Sequence, residues 1–245
     1  MTILLITGGS AGIGAATARM GAARGYNRVV VTYSRDREGA EAVVRDIHLA
    51  GAKGHAICAD VKDPDAITSL FDQLRALPPA PLHFVNNAGI VAPTGSLQDL
   101  TPERVAHIFS VNVLGAIETA RQAADYMRAH QGGHMVNISS AAARHGSPHQ
   151  YIDYAATKGA IETFTIGIAH ELAAEGIRVN GLRPGLIETD IHAKGGVPDR
   201  LDKIGHTPPM GRPGTADEVA EGILWLLSDQ ARYVTGTILD VTGGR

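Results

Sequence analysis

The strongest constraint on this chain is a change of period that repeats along its length. Short apolar runs, most of them rich in β-branched residues, alternate with longer stretches of helical composition. The runs are ILLIT (3–7), RVVVTY (28–33), HAICAD (55–60), LHFVNNAG (82–89), GHMVNISS (133–140), IRVNGLRPG (177–185) and TGTILDV (235–241). The helical stretches between them cover about 13–24, 37–50, 64–76, 101–128, 151–174 and 215–228. Asp63-Pro64 and Thr101-Pro102 each place a capping residue before a first-turn proline. A continuous apolar strand needs cover on both faces, and parallel neighbours need a crossover helix. The pattern therefore predicts an α/β fold, a single doubly wound Rossmann domain over 1–245. It should hold a parallel sheet of about seven strands with helices on both faces. No linker, internal repeat or low-complexity tract divides the chain.

Composition narrows the function classes. The chain has 245 residues, 44% of them hydrophobic, which is enough for one core without staples. Cys58 is the single cysteine, so no internal disulfide can form, and a reducing compartment is expected. Lys and Arg total 22 against 25 acids, a net charge of −3, with no polybasic run to hold nucleic acid or a membrane surface. The opening MTILLITGGS lacks a cationic start. No segment approaches the roughly 18 apolar residues of a membrane helix. The expectation is a cytoplasmic protein acting on a small molecule, with no nucleic-acid or membrane partner.

In such a sheet, ligands bind beyond the carboxyl ends of the strands. Strand one is followed by TGGSAGIG (7–14), with Gly8, Gly12 and Gly14. Closely spaced glycines let backbone amides and a helix N-terminus approach a pyrophosphate, though a tight structural turn reads the same way. Strand two ends in Tyr33-Ser34-Arg35, without the acid that would hold ribose hydroxyls. Arg35 instead offers a guanidinium fork for a 2′-phosphate, which favours NADP over NAD. Asp60-Val61 follows strand three and NNAG (86–89) follows strand four. Two adjacent asparagines there need amide partners, from a ligand or from neighbouring loops. Ser139 and Ser140 follow strand five, and Pro184-Gly185 follows strand six. Tyr154 and Lys158 are four apart and share a helical face, whereas Tyr151 does not face the lysine. Taken alone, that pair also fits an amphipathic helix with a surface lysine. Eleven histidines show no ligand spacing, so no metal site is expected.

TGGSAGIG, NNAG, a serine after strand five, Tyr154-x-x-x-Lys158 and Pro184-Gly185, in this order along the whole chain, resemble the short-chain dehydrogenase/reductase family. The resemblance implies an oxidoreductase that moves a hydride between NADP(H), with NAD possible, and a carbonyl or secondary alcohol. It implies catalytic roles for Asn112, Ser140, Tyr154 and Lys158. The implied cofactor contacts are Gly8, Ser10, Gly12, Ile13 and Gly14 at the pyrophosphate, Asp60 and Val61 at the adenine, and Asn87, Ala88 and Gly89 beside the adenosine ribose. Pro184, Gly185, Ile187 and Thr189 would hold the nicotinamide carboxamide, and Tyr154 and Lys158 its ribose. Ser139 is left as a turn residue or cofactor neighbour. A sensor that had lost catalysis would be expected to lack these four catalytic residues.

An unperturbed phenol has a pKa near 10. A neighbouring cation favours the phenolate, so Lys158 is expected to lower Tyr154. The polar loop 190–213 is expected to line the substrate cleft. The chain resembles sugar (glucose) dehydrogenases and 3-oxoacyl reductases about equally, and the roles of His145, His149 and His192 stay open. The family resemblance implies a homotetramer, with Ile161, Phe164, Ile168 and Leu172 as one candidate interface stripe; the alternative is that they pack on their own sheet.

Overall fold

The computed structural model describes residues 2–130, 132–190, 193 and 195–245. Seven parallel strands form one sheet in the order β3-β2-β1-β4-β5-β6-β7. They are β1 (Ile3–Ile6), β2 (Arg28–Tyr33), β3 (Lys53–Cys58), β4 (Leu82–Asn86), β5 (Gly133–Ile138), β6 (Arg178–Pro184) and β7 (Ile238–Val241). Each strand starts and ends within three residues of its expected bounds. The helices include α1 (Gly12–Ala23), α2 (Arg37–Leu49), α3 (Pro64–Arg75), α4 (Pro102–Phe109), α5 (Ala116–Ala129), α6 (Ala142–His145), α7 (Ile152–Leu172), α8 (Arg200–Ile204) and α9 (Ala216–Leu227).

The sheet is apolar on both faces because it is covered on both. Side chains alternate across a strand. Ile3 and Leu5 pack with α3, α5 and α7, through Leu70, Phe71, Met127 and Leu172. Leu4 and Ile6 pack with α1, α2 and α9, through Ala18, Val43 and Ile223. That is why ILLI carries no polar residue. Strand order reverses between β1 and β4, which opens a crevice at their carboxyl ends. Arg178, at the start of β6, caps α9 from below. Its guanidinium donates to the carbonyls of Leu226 at 2.7 Å and Ser228 at 3.0 Å.

One expectation needs correction. The helix foreseen over 101–128 is broken by a π-helical turn at Ser110–Gly115 between α4 and α5. Gly115 lies so close to the carbonyl of Val61 that a Cβ there would sit 2.3 Å from its oxygen. Hydrophobic periodicity carries no signal for such a turn. The stripe Ile161, Phe164, Ile168 and Leu172 packs toward its own sheet, with Ile161 and Leu172 buried and Phe164 and Ile168 packed against the core. The apolar surface left exposed nearby is Leu114 and Ile166. No helix among the described residues is long and apolar enough to cross a membrane.

Candidate active site

A cleft of about 730 Å³ runs along the carboxyl edge of the sheet. Gly8, Ser10, Gly12, Ile13, Arg35, Asp60, Val61, Asn87, Ala88 and Gly89 line one part of it. Ser139, Ser140, Tyr154, Lys158, Pro184, Gly185, Ile187 and Thr189 line another. Of the residues expected to contact cofactor, all but Gly14 reach this one cavity; Gly14 is buried in the first turn of α1.

The glycine turn is built to leave α1 open. Gly8 has φ +63°, a left-handed conformation that a side chain would strain. A Cβ on Gly14 would meet the Gly8 carbonyl oxygen at 2.5 Å, so the helix can start against the turn only without one. No side chain caps α1 and no acid sits in its first turn. By contrast, Asp36 caps α2, Asp63 caps α3 and Thr215 caps α9. The uncapped amides and the positive end of the helix dipole face the cleft, a suitable seat for a pyrophosphate.

The asparagines of NNAG are taken up by the protein itself. The Asn87 amide donates to the carbonyls of Thr7 at 2.9 Å and Gly8 at 3.0 Å. Asn86 donates to the Ala116 carbonyl at 2.9 Å and to Asn137 at 3.1 Å. What remains for a ligand at Asn87–Gly89 is backbone, shape and the Asn87 side-chain oxygen, which accepts no hydrogen bond among the described residues. Thr7, not singled out from the sequence, organises this corner: its hydroxyl accepts from the backbone N–H of Asn87 and of Ala88, both at 3.0 Å.

Arg35 is exposed on the cleft rim and has no ion pair among the described residues. The adjacent Asp36 carboxylate is occupied with the N–H of Gly39 at 3.0 Å. Asp60 is half-buried and folds onto its own turn, accepting from the Lys62 N–H at 3.2 Å.

At the other end, the two serines separate. Ser139 is buried and donates to Glu162 at 2.6 Å. Glu162 is held by Arg183 at 2.5 and 2.7 Å, and Arg183 reaches Asp240 at 3.0 Å. Ser139 thus belongs to a network tying β5, α7, β6 and β7 together. Ser140 faces the cleft on the same side as the Tyr154 phenol, on which it acts.

Lys158 is buried, and its ammonium donates to the Ile138 carbonyl at 2.8 Å. It sits 5.6 Å from the centre of the Tyr154 ring. Burial brings Lys158 down to about 8. Burial also pushes the Tyr154 phenol up to about 12, against Ser140, whose side chain works to lower it. The expected depression of Tyr154 by Lys158 is therefore not what this protein sets by itself, because desolvation dominates at the phenol. Tyr154 keeps part of its surface open to the cleft, but protein packs densely around its hydroxyl.

Asn112 lies buried in the π turn. Its side chain accepts from the Ile90 N–H at 2.8 Å and donates to the Ile90 carbonyl at 2.9 Å and to Thr157 at 3.2 Å. It joins the strand-four loop to α7 beside Lys158. A Cβ on Gly89 would sit 3.3 Å from the Asn112 oxygen and 3.5 Å from the Lys158 nitrogen.

Tyr151 is buried at the head of α7, edge-on to Tyr154 with ring centres 6.5 Å apart. His145 lines the cleft, whereas His149 sits exposed in a turn with φ +58°. His192 lies outside the described residues. Sequence reasoning missed Asp153, which is buried and pairs with Arg104 at 2.7 Å, fixing the start of α7 against α4. It also missed His107, Arg200 and Arg245, which line the cleft. Arg200 falls inside the loop flagged as a cleft wall, but no motif marks it.

A family model described as "Enoyl-(Acyl carrier protein) reductase" matches residues 8–245. The "Uncharacterized oxidoreductase YgfF" of Escherichia coli is 45% identical over all of both chains. The structure of a 3-ketoacyl-(acyl-carrier-protein) reductase from Brucella melitensis, complexed with NADH, superposes with a TM-score of 0.89. It is 32% identical and covers 100% of this chain and 98% of its own. A short chain dehydrogenase from Burkholderia cenocepacia, in complex with NADP, gives 0.88 at 34% identity, covering 98% of this chain and 96% of its own.

Proposed function

Since the chain belongs to the short-chain dehydrogenase/reductase family, and is a nicotinamide-dependent oxidoreductase of small molecules, we propose that it prefers NADP(H) and uses Tyr154 as its acid and base. The reaction is reduction of a carbonyl, or oxidation of a secondary alcohol. The observation that carries this reading is the meeting of Ser140, Tyr154 and Lys158 in the cleft that also receives the open N-terminus of α1.

The residues present suit a dinucleotide. The uncapped amides of α1 receive the pyrophosphate, and the Asp60-Val61 turn borders the adenine. Pro184, Gly185, Ile187 and Thr189 border the nicotinamide. Arg35, free of any acid among the described residues, is placed for a 2′-phosphate, which supports NADP over NAD. The bound nicotinamide supplies or accepts the hydride.

The protein's own groups handle the proton. With its phenol at about 12, Tyr154 is protonated at neutral pH and ready to donate to a carbonyl oxygen. Ser140 donates to the same oxygen and stabilises its developing charge. Lys158, at about 8, remains largely cationic at neutral pH and supports the ribose and the phenol. Asn112 holds the loop beside it. Oxidation needs Tyr154 as base, so it is favoured at higher pH. We further propose a cytoplasmic homotetramer. Exposed Leu114 and Ile166 support the assembly, and the lone unpaired Cys58 supports the compartment.

The test is Tyr154→Phe. Turnover over a carbonyl panel should fall by about 10²–10⁴-fold, with NADPH affinity, followed by fluorescence titration, unchanged. Turnover at the wild-type rate would remove Tyr154 from this role.

A further inference from the structure

Beyond the reacting carbonyl, we propose that the substrate carries a carboxylate and that Arg200 receives it. The inference rests on Tyr154 meeting the reacting oxygen. It begins with an arginine lacking the partner its surroundings demand.

Arg200 is half-buried at the start of α8 and lines the cleft. Its guanidinium lies 5.2 Å above the centre of the Tyr151 ring, and that ring is the edge-on neighbour of Tyr154. One terminal nitrogen donates to the Gln150 side chain at 2.7 Å. Its Nε is buried with no partner, and so is the hydroxyl of Tyr151. Two buried polar atoms therefore stand unsatisfied at Tyr151 and the arginine stacked on it, where a native structure would normally complete them.

The other partly buried arginines leave no buried side-chain nitrogen without a partner among the described residues, and Arg28 donates to the Pro78 carbonyl at 2.7 Å. Arg104 meets Asp153 and Arg183 meets Glu162, with side chains 17% and 14% exposed. Arg178 meets backbone carbonyls. Arg200 has only neutral partners among the described residues; burial disfavours its charge, Tyr151 works the other way, and a second arginine, Arg245, adds to the cost. His145 feels both arginines as well, so three basic side chains converge on this wall. The acids of the cleft do not balance them. Asp36 caps α2, Asp60 turns to Lys62, and Asp190 forms no ion pair among the described residues. A guanidinium taken partly out of water without an anion is unfavourable, and a planar carboxylate matches its fork.

The distance between the carbonyl and the carboxylate is settled by a ladder of probes. Oxoheptanoic acids with the ketone at C2 through C6, and the methyl ester of each, are assayed with NADPH. At least one acid should be reduced at least about tenfold more efficiently than its ester, in line with a charge-assisted hydrogen bond. Arg200→Gln should bring that ratio of kcat/KM near unity while leaving the ester within about twofold, and Arg200→Lys should restore part of it. Unchanged NADPH affinity shows that the variants are folded. Esters turned over with no preference for any acid, or a preference that survives Arg200→Gln, overturns the inference and leaves the hydride-transfer reading standing. Acids that fail to turn over at all overturn it too. Turnover surviving in Tyr154→Phe overturns the reading of the site instead.

Discussion

The two ends of the sheet apply the same physics to opposite results. At the carboxyl end, Tyr154 and Lys158 are desolvated but border an open cleft. At the amino end, His83 on β4 and His134 on β5 stack with ring centres 5.0 Å apart, and the Tyr26 hydroxyl meets His83 Nδ1 at 2.5 Å. Burial takes His83 down to about 3 and His134 down to about 4, with Arg178 pressing in the same direction on each and His134 adding to the effect on His83. These histidines are held neutral in a half-buried layer that lines no part of the cleft. Lys158, lowered only to about 8, stays within reach of working pH. Desolvation makes a group reactive where a ligand can reach it and inert where none can. Perturbed titration alone therefore does not mark a site.

The comparison can be broken at either end. The largest effect is expected within the serine pair. Ser140→Ala should lower kcat by about 10²–10³-fold, as loss of one donor to a developing oxyanion does. Ser139→Ala should instead lower the melting temperature through the Glu162–Arg183 network while sparing kcat more. Equal losses of kcat in steady-state assays would erase the distinction. Next, Arg35→Ala should weaken NADPH binding by about tenfold to a hundredfold and leave NADH nearly unchanged, the worth of a charged hydrogen bond. Equal weakening of both in a titration would take Arg35 out of the 2′-phosphate role.

The smallest effect belongs to the amino end. In the unfolded chain, histidine binds a proton near pH 6.5, whereas His83 and His134 in the fold resist it down to about 3 and 4. The unfolded state therefore takes up protons first. Stability is full above about pH 6.5 and is lost as pH falls toward those lower values. The loss from His83 is about 1.4 kcal/mol at pH 5.5. Chemical denaturation between pH 7 and 5 should show this slope, and His83→Gln should flatten it even if it lowers stability at pH 7. A slope unchanged in His83→Gln would mean that other groups carry the acid sensitivity.

Much of this protein is legible in its residues. Runs such as ILLI and VVV demand burial on both faces, and that demand alone gives the parallel sheet, its helices and the edge where ligands bind. Gly14, Tyr154 and Lys158 can be placed at that edge by spacing, since neighbours on one turn are fixed by local geometry. Asn87 was legible in place but not in use, because its amide partners, Thr7 and Gly8, lie some eighty residues earlier.

What only the tertiary structure decided depends on neighbours distant in sequence and on the water they keep. The π turn around Asn112 arises where Gly115 presses on Val61. Ser139 and Ser140 part ways because Glu162 lies under one and Tyr154 beside the other. The direction of the Tyr154 shift, and the missing partner of Arg200, follow from how much solvent the fold removes around each. Periodicity along a chain records which face a residue takes; it does not record the dielectric into which that face is folded.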